Sequence, residues 1–159
     1  MQLLLVRHAE AVDIGGDVRT DAERHLTPRG LDSAAKLADA LAARRVQLAE
    51  VVSSPFIRAK QTADPLLALA PAGRELRLCD ELVPMAQNPK GVAAMLAGLG
   101  VASAAVVGHL PDIAAFAGWL IGGGEVAFAR GAAAMVEVDG RPGQGTGSLR
   151  WLLTPEWYT

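Results

Sequence analysis

"LLLVRHAEA", residues 3–11, joins an uninterrupted aliphatic run to an arginine and a histidine. A strand with one wet face would alternate polar and apolar residues. Leu3–Val6 does not alternate, as expected of a strand covered on both faces in a parallel sheet. Arg7 and His8 then arrive at one edge of that sheet. A fixed positive charge and an imidazole placed there either meet an anion or are tolerated at the surface, and the rest of the chain decides between these.

Working outward, the polar, glycine-containing stretch Asp13–Arg24 reads as a surface loop. Thr27-Pro28 is a helix start, a capping hydroxyl followed by proline at the first helical position. Leu31, Ala34, Leu37, Ala38 and Leu41 then recur at helical spacing and form one core-facing stripe. Val51-Val52-Ser53 is a second buried strand, after which Ser54 as N-cap and Pro55 open a helix running to about Leu69. A weaker strand sits near Leu76–Cys79. Asn88-Pro89 begins another helix, which Gly98 and Gly100 help to end. "ASAAVVGH", residues 102–109, is a fourth strand, and Pro111 opens the helix after it. Gly122–Gly124 breaks the chain. Ala133–Val138 and Ser148–Leu153 read as a closing hairpin, with Gly143–Gly147 as a mobile turn.

Strand and helix alternate four times before the final pair of strands. This order predicts an α/β fold: a three-layer α/β/α sandwich with a mostly parallel sheet and an antiparallel C-terminal edge hairpin. The 159 residues suit a single domain, 1–159, without a large cap insertion. Half of them are hydrophobic, enough for a packed interior without staples. A net charge of -2, spread without blocks of one sign, argues against nucleic-acid and membrane partners. Cys79 is the only cysteine, so neither an internal disulfide nor a multi-cysteine metal site can form. Met1–Val6 is too short for a signal peptide, and no apolar run approaches the roughly 20 residues of a membrane span. The expected setting is soluble, reduced and cytoplasmic.

The polar residues collect at strand ends. Arg7-His8 follows the first strand, Ser53-Ser54 and Arg58 the second, and His109 the fourth. In an open parallel sheet these ends share one edge, where ligands bind. Two arginines and two histidines converging beside a helix start suit a dianionic phosphoryl group. Each residue alone carries little; a lone histidine after a strand is ordinary, and a lone helix arginine is usually solvated.

"LLLVRHAEA", "VVSSPFIRAKQTA" and "AAVVGHLP" together resemble the three signatures of the histidine phosphatase superfamily, the phosphoglycerate mutase-like fold. The likeness spans Gln2 to about Leu120. The short length, "SPFIRAKQT" and "GHLP" resemble its SixA branch, bacterial phosphohistidine phosphatases acting in signalling. Ala9 stands where the family often has glycine, which implies an ordinary negative φ there. The resemblance implies that His8 is the nucleophile, forming a phosphohistidine intermediate, and that Arg7, Arg58 and His109 hold the phosphoryl oxygens. His8 must be neutral to attack, whereas His109 is more useful protonated. Glu81 in "CDELVPM" stands where the superfamily often carries its proton donor. Asp21 with Arg24 resembles an acidic and basic pair in the branch's first loop, which implies that both bind substrate, and whether Glu81 or Asp21 is the acid stays open. Glu10 is left at the surface.

The implied activity is a metal-independent, cofactor-free phosphatase acting on a phosphorylated protein, such as a histidine-phosphotransfer domain. The alternatives are a small-molecule phosphomonoesterase of the same superfamily and a phosphate-recognition module without turnover. His8-Ala9-Glu10 also matches half of a zinc-deaminase signature, but the cysteine pair it requires is missing. A metal held by His8, His25 and His109 is disfavoured by the adjacent Arg7. No glycine-rich nucleotide-binding motif follows any strand.

Overall fold

The computed structural model describes residues 1–159. Its elements are β1 (Gln2–Arg7), α1 (Pro28–Ala43), β2 (Glu50–Ser53), α2 (Ile57–Ala63), β3 (Arg77–Leu78), α3 (Pro89–Leu99), β4 (Ser103–Gly108), α4 (Asp112–Leu120), β5 (Ala133–Val138) and β6 (Gly147–Leu153). They build one six-stranded sheet in the order β3-β2-β4-β1-β5-β6. The pairings among β1, β2, β3 and β4 are parallel, and β5 and β6 add the antiparallel edge.

The unbroken aliphatic run of β1 is explained by what covers it. Leu3 and Leu5 face one apolar layer with Val92 and Leu96 of α3 and Ile113, Phe116 and Leu120 of α4. Leu4 and Val6 face the other layer, with Leu37 and Leu41 of α1 and Ala59 and Ala63 of α2. Successive side chains point to opposite faces of a strand, so both faces must be apolar when both are roofed by helices. The α/β/α sandwich expected from the alternation is the observed fold.

Local signals set the helix starts. The Thr27 hydroxyl accepts from Gly30 N and the Asn88 side chain accepts from Gly91 N, each ahead of a first-turn proline. Gly30 is required by packing, because a Cβ there would lie 2.0 Å from the Glu10 carbonyl oxygen. Leu31 departs from the expected stripe: it is exposed, and Gly30 turns inward in its place. The helix expected from Ser54 to Leu69 is also different. α2 starts at Ile57 with no side-chain cap and ends at Ala63, and Asp64–Leu69 continues as a 3-10 turn. Pro65 has no N–H to donate back into an α-helix, so the tighter turn takes over.

The register places the strand ends in step. Arg7 pairs with Gly108 across β1 and β4, and Ser53 pairs with Val107 across β2 and β4. His8, Ser54 and His109 are therefore the first residues beyond three neighbouring strands. β1 and β4 lie side by side, yet their following helices, α1 and α4, cover opposite faces. A crevice opens between such strands at their carboxyl ends.

Candidate active site

His8 is buried, and its Nδ1 lies 2.7 Å from the Ala9 carbonyl oxygen. A carbonyl can only accept, so Nδ1 carries the proton and Nε2 carries the lone pair. Arg58 Nε donates to that Nε2 over 3.2 Å. The pKa of His8 is pushed down to about 4, first by burial, against the opposing Ala9 hydrogen bond, and further by the charges of Arg58, Arg7 and Arg24. The result is a neutral imidazole of fixed tautomer, with its lone pair turned towards a guanidinium.

Arg58 is only 3 % exposed, far from the solvated position usual for a helix arginine. Its remaining nitrogens are held by the first loop: Nη1 donates to the Asp21 carbonyl at 2.5 Å and Nη2 to Asp21 Oδ2 at 2.9 Å. Asp21 Oδ1 in turn accepts from Arg24 Nη1 at 3.1 Å, and Arg24 Nε donates to the Val12 carbonyl. Burial acts to raise the Asp21 pKa, but the bonds from Arg58 and Arg24 outweigh it and hold the carboxyl below its ordinary value. Asp21 is thus an ionised anchor for the two arginines. Thr62 ties the same loop to α2, accepting from Ala9 N at 3.0 Å while donating to the Arg58 carbonyl at 2.7 Å. Gln61 does likewise through Leu26 N.

His109 is 2 % exposed, with its ring centroid 5.0 Å from that of His8. Phe56 packs edge-on against it and lies beneath the Arg58 guanidinium. Burial first, then the neighbouring His8 and Arg58, push the His109 pKa down to about 3, with Asp21 opposing. The unliganded pocket therefore holds a neutral His109; the protonated form is an expectation for the phosphate-bound site. The cations that would serve an anion also repel a second proton. Arg7 donates through Nη1 to the Phe128 carbonyl at 2.8 Å. Two buried side-chain nitrogens lack any partner, Arg7 Nε and His109 Nδ1. An unpartnered guanidinium N–H, such as Arg7 Nε, in a cationic crevice is what an anionic ligand would satisfy.

The structure thus brings Arg7, His8, Asp21, Arg24, Arg58 and His109 into one constellation. Glu81 stands apart from its bonds: Oε2 accepts from Asn88 Nδ2 at 2.6 Å, at the cap of α3. It shares with His109 the lining of a small cavity also bordered by Asp112. Glu10 is not a free surface carboxylate, since it accepts from the Thr27 hydroxyl beside α1. His25 is exposed, and no group of three or more His, Cys, Asp or Glu side chains is arranged to hold a metal ion. Ala9 is absent from the positive-φ residues, as its replacement of glycine implied. Phe56 and Thr62 are missed by the sequence reading, and Ser54 is placed at the strand-end edge without a role in the site. Ser54 carried a signal, but it read as a helix cap, whereas its hydroxyl in fact meets His109.

Comparison with known proteins shows what the whole chain is similar to. Residues 3–85 match the model of the histidine phosphatase superfamily, branch 1. The phosphohistidine phosphatase SixA of Escherichia coli strain K12 is 31% identical over 163 residues, covering 98% of this chain and 94% of that protein. A solved structure of the protein histidine phosphatase SixA complexed with tungstate superposes with a TM-score of 0.84 at 31% identity, covering 98% of this chain and 97% of that one. A phosphoserine phosphatase from Entamoeba histolytica bound to phosphoserine, 14% identical over 99% of both chains, shares the fold with a TM-score of 0.74.

Proposed function

Because the chain belongs to the histidine phosphatase superfamily and is a phosphatase of that superfamily, we propose that it hydrolyses phosphohistidine on a protein through a phosphorylated His8. The observation that carries this reading is the state of His8: neutral, of fixed tautomer, with the lone pair of Nε2 facing Arg58. An imidazole in that state can attack phosphorus without first losing a proton.

In the first step Nε2 of His8 bonds to phosphorus while the P–N bond of the substrate breaks. The leaving imidazole keeps the bonding pair and takes a proton from solvent water. Water then attacks phospho-His8, releasing inorganic phosphate and restoring the neutral ring. Phosphoryl oxygens are better acceptors for a guanidinium than an imidazole nitrogen. Substrate binding therefore draws Arg58 towards the phosphoryl group and frees the lone pair that it holds at rest. Arg7, Arg58 and His109 supply the donors, and Asp21 with Arg24 keeps the Arg58 fork in place. Phosphoryl transfer asks mainly for positioning and neutralisation of charge on the equatorial oxygens. These side chains supply that charge without a metal ion or cofactor.

Glu81 is the proposed proton donor for less labile substrates, because Asp21 is held ionised by two arginines. A protein substrate is supported by the chain between α2 and β4. It carries only 3-10 turns, the two-residue β3 and the core-packed α3, which leaves little to roof the pocket. The SixA likeness also favours a phosphorylated protein over a small ester. Competition between a phosphohistidine protein and alkyl phosphates tests the reading. Preferred turnover of the phosphohistidine protein supports it. Preference for the small esters would make the chain a phosphomonoesterase, and binding without turnover would make it a recognition module.

A further inference from the structure

Ser54 is fully buried, and its hydroxyl has two hydrogen-bond neighbours. Phe56 N donates to Oγ over 3.3 Å, and His109 Nε2 lies 2.9 Å away. The Phe56 N–H can only donate. The hydroxyl proton therefore has one acceptor in reach, Nε2, and leaving it unpaired in a buried site would be costly. With Ser54 donating, Nε2 carries the lone pair and a neutral ring bears its proton on Nδ1. The reverse tautomer would leave both the Ser54 proton and the lone pair of the buried Nδ1 without partners. The Nδ1–H form leaves one orphan instead of two. That orphan is the unpartnered Nδ1 of His109, on a ring 5.0 Å from His8.

We propose that Ser54 is a positioning residue that fixes His109 as its Nδ1–H tautomer, so that the ring presents one hydrogen-bond donor to the transferring phosphoryl group. The use of that donor rests on the phosphatase reading, whereas the tautomer is a property of the free protein. The backbone makes the device rigid. Ser54 N donates to the Val107 carbonyl at 3.0 Å, so β2 and β4 hold the hydroxyl and the ring in one frame. Ser53 cannot substitute, because its hydroxyl donates to the Ser54 carbonyl at 2.9 Å. A neutral imidazole can act here as a donor only if the correct nitrogen is protonated, so a tautomer-setting partner is part of the chemistry.

Nitrogen-15 NMR of the unliganded, histidine-labelled protein near neutral pH reads this directly. The His109 ring should show a protonated, pyrrole-like Nδ1 and a pyridine-like Nε2 in the wild type and in Ser53→Ala. In Ser54→Ala the pattern should move towards Nε2–H, and affinity for inorganic phosphate should fall about tenfold or more, as for loss of one donor to a charged acceptor. Ser54→Thr, which retains a hydroxyl, should restore both. A protonated Nε2 in the wild type overturns the proposal without any variant having to fold. An unchanged tautomer in Ser54→Ala, or unchanged phosphate affinity despite a changed tautomer, overturns it as well. No substrate is used, so failure of the protein to hydrolyse phosphohistidine would leave the tautomer result intact and separately readable.

Discussion

Titrating the unliganded protein with acid should leave the His8 ring neutral far below the usual histidine range. Its pKa lies at about 4 in place of 6.5, owing first to burial and then to Arg58, Arg7 and Arg24. At about pH 5 a group of pKa about 4 is about nine-tenths neutral, whereas one of 6.5 is about 3% neutral, a roughly 30-fold difference in available nucleophile. The activity limb follows the same sign. Because the neutral ring attacks, kcat/KM corrected for substrate ionisation should hold until pH approaches about 4 and fall below it. Stability moves with it. Between 6.5 and about 4 the unfolded chain binds a proton at this position that the folded chain refuses, so the fold weakens as pH drops through that window. A shift from 6.5 to about 4 corresponds to about 3 kcal/mol for His8 alone, and His109 shifts in the same direction. The assay is an NMR titration of the ring protons, with thermal unfolding measured over the same pH range. Arg58→Gln should raise the His8 midpoint without returning it to 6.5, since burial is the larger cause. A wild-type midpoint near 6.5 would refute the neutral, buried nucleophile.

Arg58→Ala should lower kcat/KM by about 100- to 1000-fold, as for loss of a donor aimed at developing charge. Arg58→Lys should recover only part, because the fork that reaches both His8 and Asp21 is lost. Steady-state kinetics on the folded variants would check both. Glu81→Gln should depress alkyl phosphate hydrolysis about 10²–10⁴-fold while sparing phosphohistidine, whose leaving imidazole is far less basic than an alkoxide. Asp21→Asn should harm both substrates, since it unties Arg58 whatever the leaving group; parallel assays on the two substrates separate these outcomes. Activity should survive exhaustive chelation, and recovery only on adding a divalent ion would contradict the metal-free account.

Much of this was legible in the chain because the signals were local. An aliphatic run without alternation marked β1 as doubly covered, and Thr27-Pro28 and Asn88-Pro89 marked helix starts that the capping bonds bear out. Arg7, His8, Arg58 and His109 were found because strand ends in a parallel sheet share an edge. What failed depended on tertiary partners. Ser54 precedes a proline as a cap would, but its hydroxyl meets His109, a residue 55 positions away. Leu31 falls on the apolar stripe by spacing, yet the residue buried there is Gly30, against the Glu10 carbonyl, and Leu31 is exposed. Glu10 has no local reason to be held, and only the folded loop brings it to Thr27. The protonation of His109 could not be read from residue types at all. It follows from burial and from the proximity of cations that only the assembled pocket sets.

The central claim is that the phosphoryl group passes through His8, and rapid quenching during turnover of a phosphorus-labelled substrate tests it most directly. Quenched in base, which preserves phosphohistidine, the protein should carry label on Nε2 of His8, formed and lost at rates that account for turnover. His8→Ala should take up no label while keeping its fold. Label on another residue, or full turnover by His8→Ala, would contradict the account.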